Sequence, residues 1–180
     1  MHAMRRFRTR LGSAIENAAM TNPALESLLR ASLDDILVGG FVDTSEEPVR
    51  FWPLFRYIFI RSETNLVGLT SVQGAARARI ELLNSMSFAA TLDDDMRPAF
   101  SSLGELILRD ADGSNLITGI QVWDGSEADC SAVRLDLENG QSIFFDPSYH
   151  FGFRVGGAEQ EAIWRANWPG NHSKTVIGPT

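Results

Sequence analysis

Residues 133–145 read V-R-L-D-L-E-N-G-Q-S-I-F-F, and their alternation decides the fold. Val133, Leu135 and Leu137 alternate with Arg134, Asp136 and Glu138, the period-two pattern of a strand with one buried face. Asn139-Gly140 follows, and Ile143-Phe144-Phe145 resumes the apolar run, so the segment reads as a β-hairpin. Asn-Gly suits the two positive φ angles of a type I′ turn, whose twist matches that of paired strands.

Downstream, Tyr149 to Val155 adds a strand, and Gly156-Gly157 precedes a helix expected over Ala158 to Asn167. Glu159 and Glu161 fall in its first turn, where the helix dipole favours acids, and Pro169-Gly170 stop it. Trp164 and Trp168 share one face of that helix, a spacing that fits core packing and also an exposed anchor. Upstream, Leu106–Arg109 and Leu116–Trp123 flank the turn-rich Asp110–Asn115 as a second hairpin.

Before Ser87 the apolar spacing is helical. Met4, Phe7, Leu11, Ile15 and Ala18 predict an amphipathic helix over residues 4–19 with a cationic polar face. Asn22 then offers an N-cap and Pro23 a first-turn residue, Leu25, Leu29, Leu33 and Ile36 give a stripe, and Gly39-Gly40 reads as the helix end. Thr70 and Gln73 form a capping-box pattern ahead of Val72, Ala76, Ile80 and Leu83, a third expected helix. Val49 to Ile60 stays open: its aromatic and β-branched residues suit a strand, but Pro53 does not suit a central one. The expected architecture is α+β in a single domain, residues 1–180, with N-terminal helices packed on an antiparallel β-meander and a closing C-terminal helix.

Charge is unevenly spread. Net charge is -7, yet Arg5, Arg6, Arg8 and Arg10 stand together without an acid, leaving 12 of the 16 basic residues against 23 acids in the rest of the chain. So acidic a body disfavours nucleic acid as a ligand and would attract a basic protein surface. No apolar run reaches the roughly 18–20 residues that cross a bilayer, and the start lacks the apolar core of a secretory signal. With Cys130 as the single cysteine, the expectation is a cytoplasmic protein without a disulfide framework.

Catalytic patterns are sparse. Asp146, His150 and the distant His172 supply too few ligands in too loose a spacing for a usual metal centre, so no metal or cofactor is expected. Cys130, His150 and Asp146 have the residue types of a nucleophile, a base and an orienter, which leaves a small enzyme as an alternative, beside a non-catalytic adaptor. Phosphate-cradling and serine-elbow motifs do not occur. What stands out are two carboxylate clusters: Asp93-Asp94-Asp95, and Asp124, Glu127 and Asp129. Loop carboxylates of this kind pair with arginines and lysines of a partner protein.

The stretch from Leu135 to Gly170, with its hairpin, F-D-P-S-Y-H-F-G and W-x-x-N-W-P, resembles C-terminal segments of bacterial immunity proteins from contact-dependent growth inhibition and related polymorphic toxin systems. The resemblance spans about a fifth of the chain and carries over no site residues. It implies a non-enzymatic antitoxin that binds a cognate toxin domain, a basic nuclease above all, in a 1:1 complex and occludes its active cleft. The acidic composition fits such a plug.

Overall fold

The computed structural model describes residues 22–109, 114–126, 128–170 and 172–178. Strand accounts for 52% of the described residues and helix for 12%, so sheets carry the core. The α+β expectation holds in its coarser form, mostly antiparallel strand with few helices; the helix expected to close the chain is followed by a further strand, Lys174–Ile177.

Two sheets stack face to face. The larger has the order β5-β1-β2-β3-β4-β7, formed by β1 (Leu33–Asp43), β2 (Arg50–Ser62), β3 (Leu66–Val72), β4 (Arg77–Leu83), β5 (Met96–Ser102) and β7 (Asp129–Cys130). The smaller has the order β10-β9-β8-β6-β11, from β6 (Ile117–Trp123), β8 (Ala132–Leu137), β9 (Ser142–Tyr149), β10 (Gly152–Gly156) and β11 (Lys174–Ile177). Between them lie Ile36, Ile58, Val67, Leu135, Phe145 and their neighbours, all essentially sealed from water. Helices are short: α1 (Pro23–Glu26), α2 (Gly104–Ile107) and α3 (Ala158–Asn167). Among the described residues no helix is long and apolar enough to cross a membrane.

The deciding segment behaves as its alternation requires. Val133, Leu135 and Leu137 face the inter-sheet core, and β8 pairs with β9 from Val133↔Phe145 to Asp136↔Ser142. The turn differs from expectation. Gly140 has φ 80° but Asn139 is not left-handed, while Gly140 N–H donates to Leu137 C=O at 3.0 Å and Leu137 N–H to Gln141 C=O at 2.9 Å. That pattern is a type I turn closed by a glycine bulge, one residue longer than type I′. α3 forms over the expected residues and lays Trp164 on the outer face of the smaller sheet, against Trp123 and Phe144 with ring centroids 5.8 and 5.7 Å away.

The N-terminal half is where helical spacing misleads. The expected helix over residues 4–19 lies outside the described residues. Asn22 does cap α1, accepting from the Ala24 and Leu25 amides, but the helix lasts one turn before Arg30 turns left-handed at φ 65°. From Leu33 the chain is strand, buried on both faces through its middle, which erases the period-two signal. Gly39-Gly40 is therefore no helix end. A Cβ on Gly40 would fall 2.3 Å from the Trp52 carbonyl oxygen, so the glycine is there to let β2 come close. The third expected helix is the β3–β4 hairpin, turning through Gly74 and Ala76 at φ 75° and 51°. Leu106–Arg109 is not a strand either: α2 occupies its first half.

Val49 to Ile60 resolves as strand. Pro53 is tolerated because β3 pairs with β2 only from Tyr57 to Arg61, so the first half of β2 has one strand neighbour.

The two helix tryptophans separate cleanly, Trp164 being 2% and Trp168 45% exposed. Trp164→Ala is expected to cost roughly 3–5 kcal/mol in urea unfolding, and Trp168→Ala less than about 1 kcal/mol. Equal losses would contradict this packing.

Candidate binding surface

The two carboxylate clusters lie at opposite edges of the larger sheet. Asp93–Asp95 lead into β5, whereas Asp129 belongs to β7. Five strand spacings separate those edges, about 24 Å at 4.8 Å each. One compact partner loop cannot touch both.

Their chemical states differ as well. Asp129 accepts from Arg77 Nε at 3.0 Å and Nη2 at 2.5 Å, and the Arg77 guanidinium holds its pKa below the usual carboxylate range. Arg77 Nη2 also donates to the Asp124 carbonyl at 2.8 Å. The Asp124 carboxylate receives His172 Nδ1 at 2.5 Å and the Ser173 amide at 2.9 Å. Burial opposes its charge, but these hydrogen bonds prevail and lower its pKa. This cluster braces the β4 edge, the end of β6 and the segment entering β11. Glu127 lies outside the described residues. Asp93, Asp94 and Asp95, by contrast, are exposed, and only their backbone carbonyls take hydrogen bonds, from Met96, Arg97 and Thr44.

The residues weighed for catalysis are kept apart. Cys130 is fully buried in the inter-sheet core, and that burial pushes its thiol up to about 12. Asp146 faces α3, accepting from Gln160 Nε2 at 3.0 Å and from the Ser148 amide and hydroxyl. His150 sits at the β9–β10 turn, its ring 4.9 Å from that of Phe151. No nucleophile–base–orienter chain connects the three. Among the described residues, no group of three or more His, Cys, Asp or Glu is placed to hold a metal ion.

An open groove of about 680 Å³ lies at one end of the sandwich. Three pieces of chain enclose it: Pro53–Arg56 of β2, the β3–β4 turn and the β9–β10 turn, with Trp168 at the rim. Its first wall arises from unequal strand lengths. Between Val38↔Ile58 and Gly40↔Pro53, β2 advances five residues while β1 advances two, so Leu54–Arg56 leave the ladder with β1. The second wall sits directly on this bulge. Gly152, at φ 126°, is so close that a Cβ would lie 2.3 Å from the Phe55 carbonyl carbon and 2.4 Å from the Arg56 nitrogen.

The lining is aromatic and cationic. Phe55, Tyr149, Phe151 and Trp168 are 38, 39, 66 and 45% exposed, a concentration of large apolar side chains that water-facing turns seldom carry. Arg154 stacks on Tyr149, its guanidinium carbon 4.2 Å from the ring centre. Arg56 lines the groove, and its Nε is the one buried side-chain polar atom among the described residues without a hydrogen-bond partner. Such an orphan donor costs about 1–3 kcal/mol. Among the described residues no carboxylate lines the groove, although the chain carries -7 overall. Leu54 and Arg56 also border a second hollow, of about 400 Å³, whose other wall includes Leu92 and Met96 on either side of Asp93–Asp95. The aromatic groove, Arg56 and the acidic turn are thus neighbours in that order.

Sequence reading placed the acidic turn and missed the groove. The one signal was local: Tyr149-His150-Phe151 occupies a hairpin turn, where Gly, Asn and Asp are the usual residues. Leu54–Arg56 carried no signal, since a bulge depends on the length of the partner strand.

The chain matches no protein-family model, no curated protein and no solved structure.

Two expected outcomes follow from this geometry. Gly152→Ala should cost roughly 2–4 kcal/mol, from left-handed strain and overpacking together, and should abolish whatever the groove binds; native stability would contradict the close approach. His172 Nδ1 and Nε2 both face acceptors, Asp124 and the Trp168 carbonyl, so the ring serves both only when each nitrogen carries a proton. Its pKa is accordingly raised, first by the Asp124 hydrogen bond and then by Trp168. A raised folded pKa stabilises fully below the unfolded value of about 6.5 and is lost as pH climbs through the folded one. The urea midpoint of the protein should therefore exceed that of His172→Gln most at about pH 5.5–6, and the gap should close toward alkaline pH. A gap that does not vary with pH would show a neutral ring.

Proposed function

We propose that this chain is a non-catalytic binding protein that neutralises a cognate bacterial toxin domain, in the manner of the immunity proteins its C-terminal segment resembles. The observation that carries the reading is the aromatic groove beside the uncompensated acidic turn. Exposed Tyr, Trp and Phe with an arginine among them are the side chains that anchor protein interfaces, because each buries a large area at little rotamer cost. The rim supplies the complementary part. Asp93, Asp94 and Asp95 hold three carboxylates that no side chain of the described residues pairs, so they are available to a partner's arginines and lysines.

A nuclease is the toxin chemistry this arrangement serves best. Its substrate channel must be basic to hold phosphates, and an acidic turn seated there competes with the substrate for the same cations. Asp124 and Asp129 are already satisfied within the chain and play no part in that contact.

The test is capture from a lysate of the native host, with the partner identified by mass spectrometry and its activity then assayed alone and with equimolar purified chain. The expected result is a 1:1 partner carrying a toxin domain that loses activity on mixing. A stoichiometric partner whose activity is unaffected would overturn neutralisation. With the partner in hand, reversing Asp93, Asp94 and Asp95 to lysine should slow association about tenfold or more at low salt and flatten its salt dependence. An unchanged rate would remove the acidic turn from the mechanism.

A further inference from the structure

The groove's charge is opposite to that of the chain that carries it, and this identifies what it takes. We propose that the aromatic groove binds an acidic peptide segment of the partner protein, with an Asp or Glu carboxylate on Arg56 and the flanking apolar side chains against Phe151, Tyr149 and Trp168. The inference rests on the reading of this chain as a protein-binding module and deepens it.

Arg56 is the centre of the argument. Arg56 lines both the groove and the adjoining hollow, its guanidinium carbon lies 5.9 Å from the centre of the Tyr57 ring, and no carboxylate of the described residues pairs with it. Its Nε is sealed from the groove, so a ligand would meet the terminal nitrogens of Arg56, which make no hydrogen bond within the described residues. A carboxylate fits best, because its two oxygens match the guanidinium fork in parallel hydrogen bonds. His150 and the Arg154 that stacks on Tyr149 add donors around the same turn.

The surroundings select a peptide over other anions. Nucleic acids and anionic membranes present dense negative charge, which Asp93–Asp95 would repel from the next hollow. A peptide brings one carboxylate among apolar groups, and exposed aromatic rings lining the same groove as an arginine are a match for that mixture. A volume of about 680 Å³ holds several side chains. The groove and the acidic turn then read opposite charges on one partner, an acidic segment in the groove and a basic surface beyond it, which fixes orientation as well as affinity.

The experiment is selection of a phage-displayed random peptide library on the full chain, followed by titration of the synthesised winners. Each winner is also made with its Asp or Glu replaced by the amide, and titrated against the protein, Arg56→Gln, Phe151→Ala and, as a control outside the groove, Leu106→Ala. Winners should carry an acid among apolar residues. Amide replacement and Arg56→Gln should each weaken binding about tenfold or more, with no further loss when combined, since both remove one contact. Phe151→Ala should weaken binding comparably and Leu106→Ala should not, Leu106 and Phe151 both being exposed enough to leave the fold intact. Basic or uncharged winners, additive losses on combination, or no winners at all would overturn the proposal. So would Arg56-dependent binding of inorganic phosphate or phosphatidylglycerol vesicles without peptide selection. Failure of the parent reading looks different: peptides would bind as described while the captured partner kept its activity. Conversely, neutralisation insensitive to Arg56→Gln would leave the function standing and remove the groove from it.

Discussion

Between the aligned pairs Val38↔Ile58 and Gly40↔Pro53, five residues of β2 pass two of β1, and the surplus has to leave the ladder. Because β3 stops pairing with β2 at Tyr57, nothing on the other side pulls the bulge back into register. Leu54–Arg56 are therefore pushed toward the end of the sandwich, where the β9–β10 turn can reach them only through a residue without a side chain. Gly152 meets that need, and the contact of Gly152 with the Phe55–Arg56 peptide fixes both walls of the groove. The exposure of Phe55 and the placing of Arg56 between the groove and the neighbouring hollow follow from this one mismatch in strand length.

The other described residues hold that end together. The inter-sheet core holds the two sheets at a fixed spacing, and Ser71 Oγ donates to the Pro147 carbonyl at 3.4 Å across them, beside the groove. On the outer face α3 is anchored by Trp164 against Trp123 and Phe144, which carries Trp168 to the rim. Arg134 secures the same helix to the sheet, bridging Asp136 at 2.7 Å and Glu161 at 2.9 Å. The network of Arg77, Asp129, Asp124 and His172 then ties the chain beyond α3 to the β4 edge. Asp124 and Asp129, expected from the sequence to face a partner, are bonded within this framework. A position in sequence shows that an acid is in a loop. Whether its charge is free depends on arginines such as Arg77, 52 residues away.

What was legible in the sequence is what local patterns determine. β6 and β8 were visible because buried and less buried positions alternate through their middles, β9 because a turn and a short apolar run follow β8, and α3 because its dipole, its stop and its spacing agree. β1 was not, because burial on both faces removes the alternation and leaves apolar spacings that also satisfy a helix. The β3–β4 hairpin was read as a helix for a related reason: Val72, Ala76, Ile80 and Leu83 recur at three to four residues, and Thr70 with Gln73 imitates a cap. β11 was too short to register, and Lys174–Ile177 gains its place only by pairing with β6. The groove was illegible because it is assembled from three turns and bends whose meeting no single stretch encodes.

Hydrogen–deuterium exchange of the full chain, alone and saturated with its captured partner, tests the central claim most directly. The account predicts new protection at 53–56, 71–76 and 147–151, extending across 92–96, with the β6–β11 edge unchanged. Protection confined to α3 and β11, with the groove segments exchanging as in the free chain, would contradict it.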